Sequence, residues 1–157
     1  MVFAPRSMPR VEEQAAALAD AIEAAVPGWV EHSVARVMTA WKGEVDDDVR
    51  AAAVDAGRDA AAEVGPDVRA LLEADVDEQR TTPLSILRGA VRFPTAVLQA
   101  AGVPPVRRDE HQERLFPDDA YDLAPATFAD VDPALADVGL AWGAAKAFEH
   151  LQRHKPA

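Results

Sequence analysis

VEEQAAALADAIEAAVPGWVEHSVARVMTAW, residues 11–41, is the stretch that decides the fold class. Val11, Ala15, Leu18, Ile22 and Val26 recur at steps of three and four, and so do Val30, Val34, Val37, Met38 and Trp41. That recurrence is the period of an α-helix that is apolar along one side. A half-buried strand needs strict alternation of apolar and polar residues. No β-branched alternation of that kind occurs anywhere in the chain, so essentially no sheet is expected. Between the two apolar sets lies Pro27-Gly28. Proline lacks the N–H that a helix interior requires, and glycine frees the backbone, so the pair predicts a helix end. The expectation is therefore two helices, the first starting near Pro9 and the second stopped by Gly43. So short a link would leave them packed antiparallel.

The same grammar runs on toward the C-terminus. Asp46-Asp47-Asp48 offers a cap and negative charge to a helix N-terminus. Val49, Ala52, Ala53, Ala56, Ala60 and Val64 then form a narrow face of small residues. An acidic stripe, Asp48, Asp55, Asp59 and Glu63, lies opposite and reads as a solvated outer face. Gly65-Pro66 predicts another break, followed by a helix with Val68, Leu71, Leu72 and Val76 inward. Thr82-Pro83 is an N-cap with proline at the first helical position, and Leu84, Leu87 and Val91 follow on one side. Pro94 breaks or restarts the helix, which then runs to Gly102. The last helix, after Asp132-Pro133, is expected to turn Leu135, Val138, Trp142, Ala145, Phe148 and Leu151 inward. Gly139, Gly143 and Ala147 form a small-residue ridge that admits a close neighbour.

Residues 81–121, TTPLSILRGAVRFPTAVLQAAGVPPVRRDEHQERLFPDDAY, hold the candidate functional surface. Gly102 to Pro125 reads as mostly irregular, with Leu115, Phe116, Tyr121 and Leu123 pinning it to the scaffold. A connection that long inside a compact domain is uncommon and often functional. Arg80, just before the 81–121 stretch, clusters with Arg88, Arg92, Arg107 and Arg108 within it, and Arg88 and Arg92 project together because they are four apart. Two readings compete for them. They pair internally with Asp109, Glu110, Asp118, Asp119 and Asp122, or they join Tyr121 in a surface that binds a partner or an anion. Asp118-Asp119-Ala120-Tyr121-Asp122 also matches the DDxxD pattern that holds magnesium in helical isoprenoid synthases. The second metal-binding motif of those enzymes is missing from this chain.

Charge narrows the classes further. The chain has 157 residues and a net charge of −11, so it suits one domain with a sizeable core. Residues 1–79 carry −10, residues 80–116 carry +3 and residues 117–157 carry −4. An acid excess of that size argues against non-specific binding to DNA or anionic lipid, which depends on neutralising phosphates. A helix-turn-helix reading of residues 94–114, on the Ala-Gly-Val turn and the arginines after it, meets the same objection. There is no cysteine, which excludes disulfides and thiolate chemistry. No apolar run has the length of a membrane helix, and the N-terminus lacks the apolar core of a signal peptide, so a cytoplasmic location is expected. Glu149-His150 with His154 places two imidazoles one helical turn apart, a spacing that can hold a metal. Their place near the end of a helix gives them a plainer role as basic groups at its negative pole.

The central stretch, with the tail LAWGAAKAFEHLQRH (residues 140–154), resembles small helical proteins of actinobacteria. The resemblance implies a self-contained cytoplasmic bacterial protein and carries over no catalytic residue. The expectations are then definite. Residues 9–157 form a single all-α bundle of five to seven helices behind a loose lead-in at 1–8, with a long Pro-rich charged loop. The chain acts as a non-enzymatic interaction or regulatory protein through the Arg-rich surface, with a protein partner and no resident cofactor. Self-association into a homo-oligomer is open to it. Magnesium-dependent chemistry on a phosphate or diphosphate compound, through Asp118, Asp119 and Asp122, is the alternative.

Overall fold

A computed structural model describes residues 10–79, 81–106 and 119–155. Its first element, α1, is one unbroken helix, Val11–Lys42. The two helices expected on either side of Pro27 are thus a single rod, about 48 Å long at 1.5 Å per residue. The apolar stripe explains the outcome. Val11, Ala15, Leu18, Ile22 and Val26 are buried before the proline, and Trp29, Val30, Val34 and Met38 after it, along one face. Proline in a helix interior costs roughly 3 kcal/mol. Burying even two large side chains offsets that at roughly 1.5–3 kcal/mol each, so continuity wins.

The second helix, α2, spans Asp47–Glu73 and likewise runs through its proline, Pro66. The break expected at Gly65-Pro66 is absent for the same reason, because Ala53, Gly57, Ala60, Val64, Val68 and Leu72 form one buried line. Between the rods, Gly43 takes a left-handed conformation (φ 81°) and its N–H closes the end of α1 on the Thr39 carbonyl. The stripe Asp48, Asp55, Asp59 and Glu63 is exposed, as expected of a solvated face.

The long rods meet where side chains are smallest. A Cβ on Gly57 would lie 2.9 Å from the Pro27 carbonyl oxygen and 3.0 Å from its Cα. The glycine in α2 is therefore what lets its backbone approach that of α1 at the proline. Two short helices, α3 (Pro83–Gly89) and α4 (Arg92–Ala100), lie against the α1–α2 pair. Thr82 caps α3 through its side-chain oxygen, which accepts from the Ser85 N–H at 3.3 Å. Pro94 sits in the first turn of α4, where no backbone donor is needed, so the helix restarts there.

A four-residue turn of helix, α5 (Phe128–Val131), precedes α6 (Ala134–Arg153). The ring of Phe128 sits over Gly139, where a Cβ would come within 2.5 Å of it. A Cβ on Gly143 would meet nothing within 4 Å, so only one end of the expected ridge has a neighbour. The inward face of α6 is Leu135, Gly139, Trp142 and Ala145. Phe148 and Leu151, expected inward, are 43% and 67% exposed, because the inward face set by Leu135, Gly139, Trp142 and Ala145 continues through Glu149 and leaves both of them off it. The apolar core takes Leu18, Ile22 and Val34 from α1, Val64 and Val68 from α2, Leu87, Leu98, Val131 and Leu135 from the shorter helices. Six helices and no strand among the described residues make this an all-α bundle. No helix among them is long and apolar enough to cross a membrane.

Candidate functional site

The Arg-rich surface and the DDxxD segment come apart in the structure. Arg80, Arg107, Arg108 and Asp118 lie outside the described residues, as do Leu115 and Phe116 and the acids Asp109 and Glu110. Arg88 donates from Nε to the Pro125 carbonyl at 3.0 Å, tying α3 to the segment before α5. Arg92 pairs with Glu63 on α2 and lies over the Phe93 ring, with its guanidinium 4.6 Å from the ring centre. It remains 59% exposed. Among the described residues, Arg88 thus meets a backbone carbonyl and Arg92 an α2 carboxylate, while Asp109, Glu110 and Asp118 of the expected pairing lie outside the described residues.

Asp119 is a fold residue. It is 5% exposed, and its two oxygens accept the N–H groups of Leu123 and Ala124, each at 2.8 Å. A magnesium ligand must turn a free oxygen lone pair toward an open site. This carboxylate is buried and holds the backbone of a turn with both oxygens, which gives it a structural role in the fold. Asp122 completes that turn with φ 55°, a left-handed conformation that aspartate tolerates better than most side chains. Tyr121 is also misplaced as a contact residue. It is buried, and its hydroxyl donates to the Val103 carbonyl at 2.7 Å. Burial pushes that phenol above its ordinary pKa. With the Val106 N–H on the Ala120 carbonyl at 2.9 Å, Tyr121 joins the two described limbs of the loop, as its pinning role required.

A different place gathers chemistry. The start of α1, the end of α2, the segment that follows it and the end of α6 enclose a cleft of about 440 Å³. Val11, Ala15, Ala19, Leu72 and Val76 line its apolar part, and Ala16 opens onto it from α1. Around them stand Glu12, Glu73, Asp75 and Glu149, with Arg69 and Arg153 as the cations. Both cations are engaged. Arg69 reaches across to α1 and pairs with Asp20 and Glu23, each at 2.7 Å. Arg153 binds Asp75 at 2.5 Å and Glu149 at 3.0 Å. The last turn of α2 carries no basic residue; the Gln79 side-chain amide donates to the Leu72 and Ala74 carbonyls at that end, and Glu73 and Asp75 line the cleft beside it.

Beside the cleft, the same segment meets α6 again. The Nδ1–H of His150 donates to Oδ1 of Asp77 at 2.5 Å, and Nε2 of His154 lies 3.3 Å from the same oxygen. The two imidazole rings are 4.5 Å apart, centre to centre. Oδ2 of Asp77 faces Arg153 at 3.5 Å. The His150 hydrogen bond is the main cause holding the Asp77 carboxyl below its usual range. Asp75 is lowered as well, first by the Asp77 backbone N–H and then by Arg153. The His150–His154 spacing was visible in the sequence, but Asp77 was not, since 73 residues separate it from His150.

Neither a family model, a curated protein nor a solved structure matches this chain. The fold therefore defines it as an all-α bundle, and its own side chains must supply the functional reading.

Proposed function

We propose that this chain is a cytoplasmic interaction protein that works by binding, with the cleft at the α1–α2–α6 end as its working surface. The observation that carries the reading is the cleft itself, part apolar and part polar, whose two cations are already paired and whose lining carries four carboxylates, Glu73 among them. At about 440 Å³ it falls within the roughly 300–1,000 Å³ of ordinary ligand sites. An apolar body that carries an amine or guanidinium fits this chemistry. The body replaces water over Ala15, Ala19, Leu72 and Val76, and the cation meets Glu73. The net charge of −11 also draws a cationic ligand toward the protein from a distance.

Two sources could present that chemistry, a free amphipathic amine or a Lys or Arg side chain in an apolar segment of a partner. Thermal-shift measurements with alkyl amines, alkyl carboxylates of matched length and a Lys-containing apolar peptide separate them. A ligand that binds the folded state raises the melting temperature, by an amount that grows with the logarithm of its concentration relative to Kd. The amine or the peptide is expected to do so and the carboxylate is not. Ala16→Trp places a large side chain from an exposed position over the cleft and should abolish the shift while the fold persists. Equal shifts with amine and carboxylate, or an undiminished shift in Ala16→Trp, would refute the reading. The Arg-rich segment remains a proposed second contact of the same protein, tested separately by charge reversal at Arg107 and Arg108.

A further inference from the structure

We propose that Asp77, His150 and His154 form a binding site for a divalent transition-metal ion of the zinc, cobalt and nickel class. This inference is independent of the cleft and of any ligand there. Its basis is the donor set and its placement. One oxygen and two imidazole nitrogens, one from each residue, lie within 4.8 Å of one another. Two imidazoles with one carboxylate suit borderline cations, whereas calcium and magnesium prefer all-oxygen shells.

The geometry is close to what such an ion needs. With metal–ligand bonds of about 2.1 Å, two ligands at a tetrahedral centre are roughly 3.4 Å apart. The 3.3 Å between His154 Nε2 and Asp77 Oδ1 already has that value. The 2.5 Å between His150 Nδ1 and the same oxygen is a hydrogen bond, with a proton where an ion would hold the two atoms further apart. Replacing that proton requires the pair to open by about 0.9 Å. Both imidazoles can accommodate this, since their side chains are 53% and 58% exposed. His150 stands in the last turn of α6 and His154 is its C-cap residue, whose N–H donates to the His150 carbonyl, so the end of the helix brings the two rings within 4.5 Å of each other, centre to centre.

The surroundings favour a dication. Asp75, Asp77 and Glu149 bring three negative charges against the single positive charge of Arg153. Arg153 also does what an outer-shell partner does at metal sites. It holds Oδ2 of Asp77 and leaves Oδ1 turned toward the imidazoles. Three protein ligands leave the remaining coordination positions to water, on the exposed side of the last turn of α6.

The test is a titration of the full-length protein with Zn²⁺ in competition with a chelating dye, and with Co²⁺ followed by its visible d–d absorption. One ion per chain is expected, with a cobalt spectrum of four- or five-coordinate type. His150→Ala, His154→Ala and Asp77→Asn should each weaken Zn²⁺ binding by more than the roughly 10–100-fold that loss of an outer-shell group costs. His32→Ala, on α1, serves as the control and should bind as the parent does. All four positions are at least partly exposed, so circular dichroism should show each variant folded. Stoichiometric binding that survives in His150→Ala and His154→Ala would overturn the proposal. So would a parent protein with no cobalt spectrum and no competition with the dye, which would leave the imidazoles as basic groups at a helix end.

Discussion

Replacing Gly57 by alanine tests the reason the two long helices lie so close. Two effects of opposite sign compete. Alanine in a helix interior is favoured over glycine by about 1 kcal/mol, since it loses less backbone freedom on folding. Against this, the new Cβ would stand 2.9 Å from the Pro27 carbonyl oxygen, 3.0 Å from its Cα and 3.3 Å from its carbonyl carbon. Those atoms belong to the backbone of α1, so they cannot rotate aside as a side chain would. The rods must separate locally, which also loosens Val26, Val30, Ala53 and Ala60, all buried. Overpacking of this kind costs roughly 1–3 kcal/mol, and it exceeds the propensity gain. A net loss of about 1 kcal/mol, and up to 2, is expected, which lowers the melting temperature by about 2–8 °C in a chain of this size. Gly143→Ala is the matched control, because it lies inside α6 with open space around it. There only the propensity term acts, and a gain of up to about 1 kcal/mol follows. Thermal and urea denaturation followed by far-UV circular dichroism would read both variants. If Gly57→Ala stabilises the protein as much as Gly143→Ala, the helices do not meet at Pro27 and the packing argument is wrong.

Tyr121→Phe removes the hydroxyl that joins the two limbs of the long loop and leaves the Val103 carbonyl without that donor. A loss of about 1–2 kcal/mol is expected in urea denaturation, and an unchanged midpoint would show that the bond holds nothing in place. Acid should weaken the junction of α6 with the segment after α2. Asp75 and Asp77 have pKa values lowered from 3.8 in the folded state, so the unfolded chain binds protons first as the pH falls. Their contribution is complete above about pH 4 and is lost as the pH drops through the lower folded values. Melting temperature measured from pH 7 to pH 2 should therefore fall more steeply below about pH 4 in the parent than in an Asp75→Asn/Asp77→Asn variant. Parallel curves would mean that neither carboxylate is coupled to folding.

Much of this architecture is written locally. The apolar period over residues 11–41 specifies helix whatever surrounds it, because an α-helix has one geometry and its buried face must recur every three or four residues. Thr82-Pro83 and Gly43 act through their own backbone and mark ends that the structure confirms. Pro27 and Pro66 have the opposite lesson. Their local preference is to stop a helix, but the stop was overridden by apolar lines that continue on both sides of each proline and are buried between α1 and α2. Nor could the role of Asp119 be read from its letters, since an aspartate that ends a turn and one that binds magnesium look identical in sequence. The neighbours of His150 and His154 lay further still beyond local reading. Asp77 reaches them only because two antiparallel rods and the returning α6 bring distant segments to one end of the bundle. Sequence by itself determined where the chain is helical, because helix formation depends on neighbours within a turn or two. The tertiary structure alone decided which helices were continuous and which charges met, because those depend on burial between segments far apart in the chain.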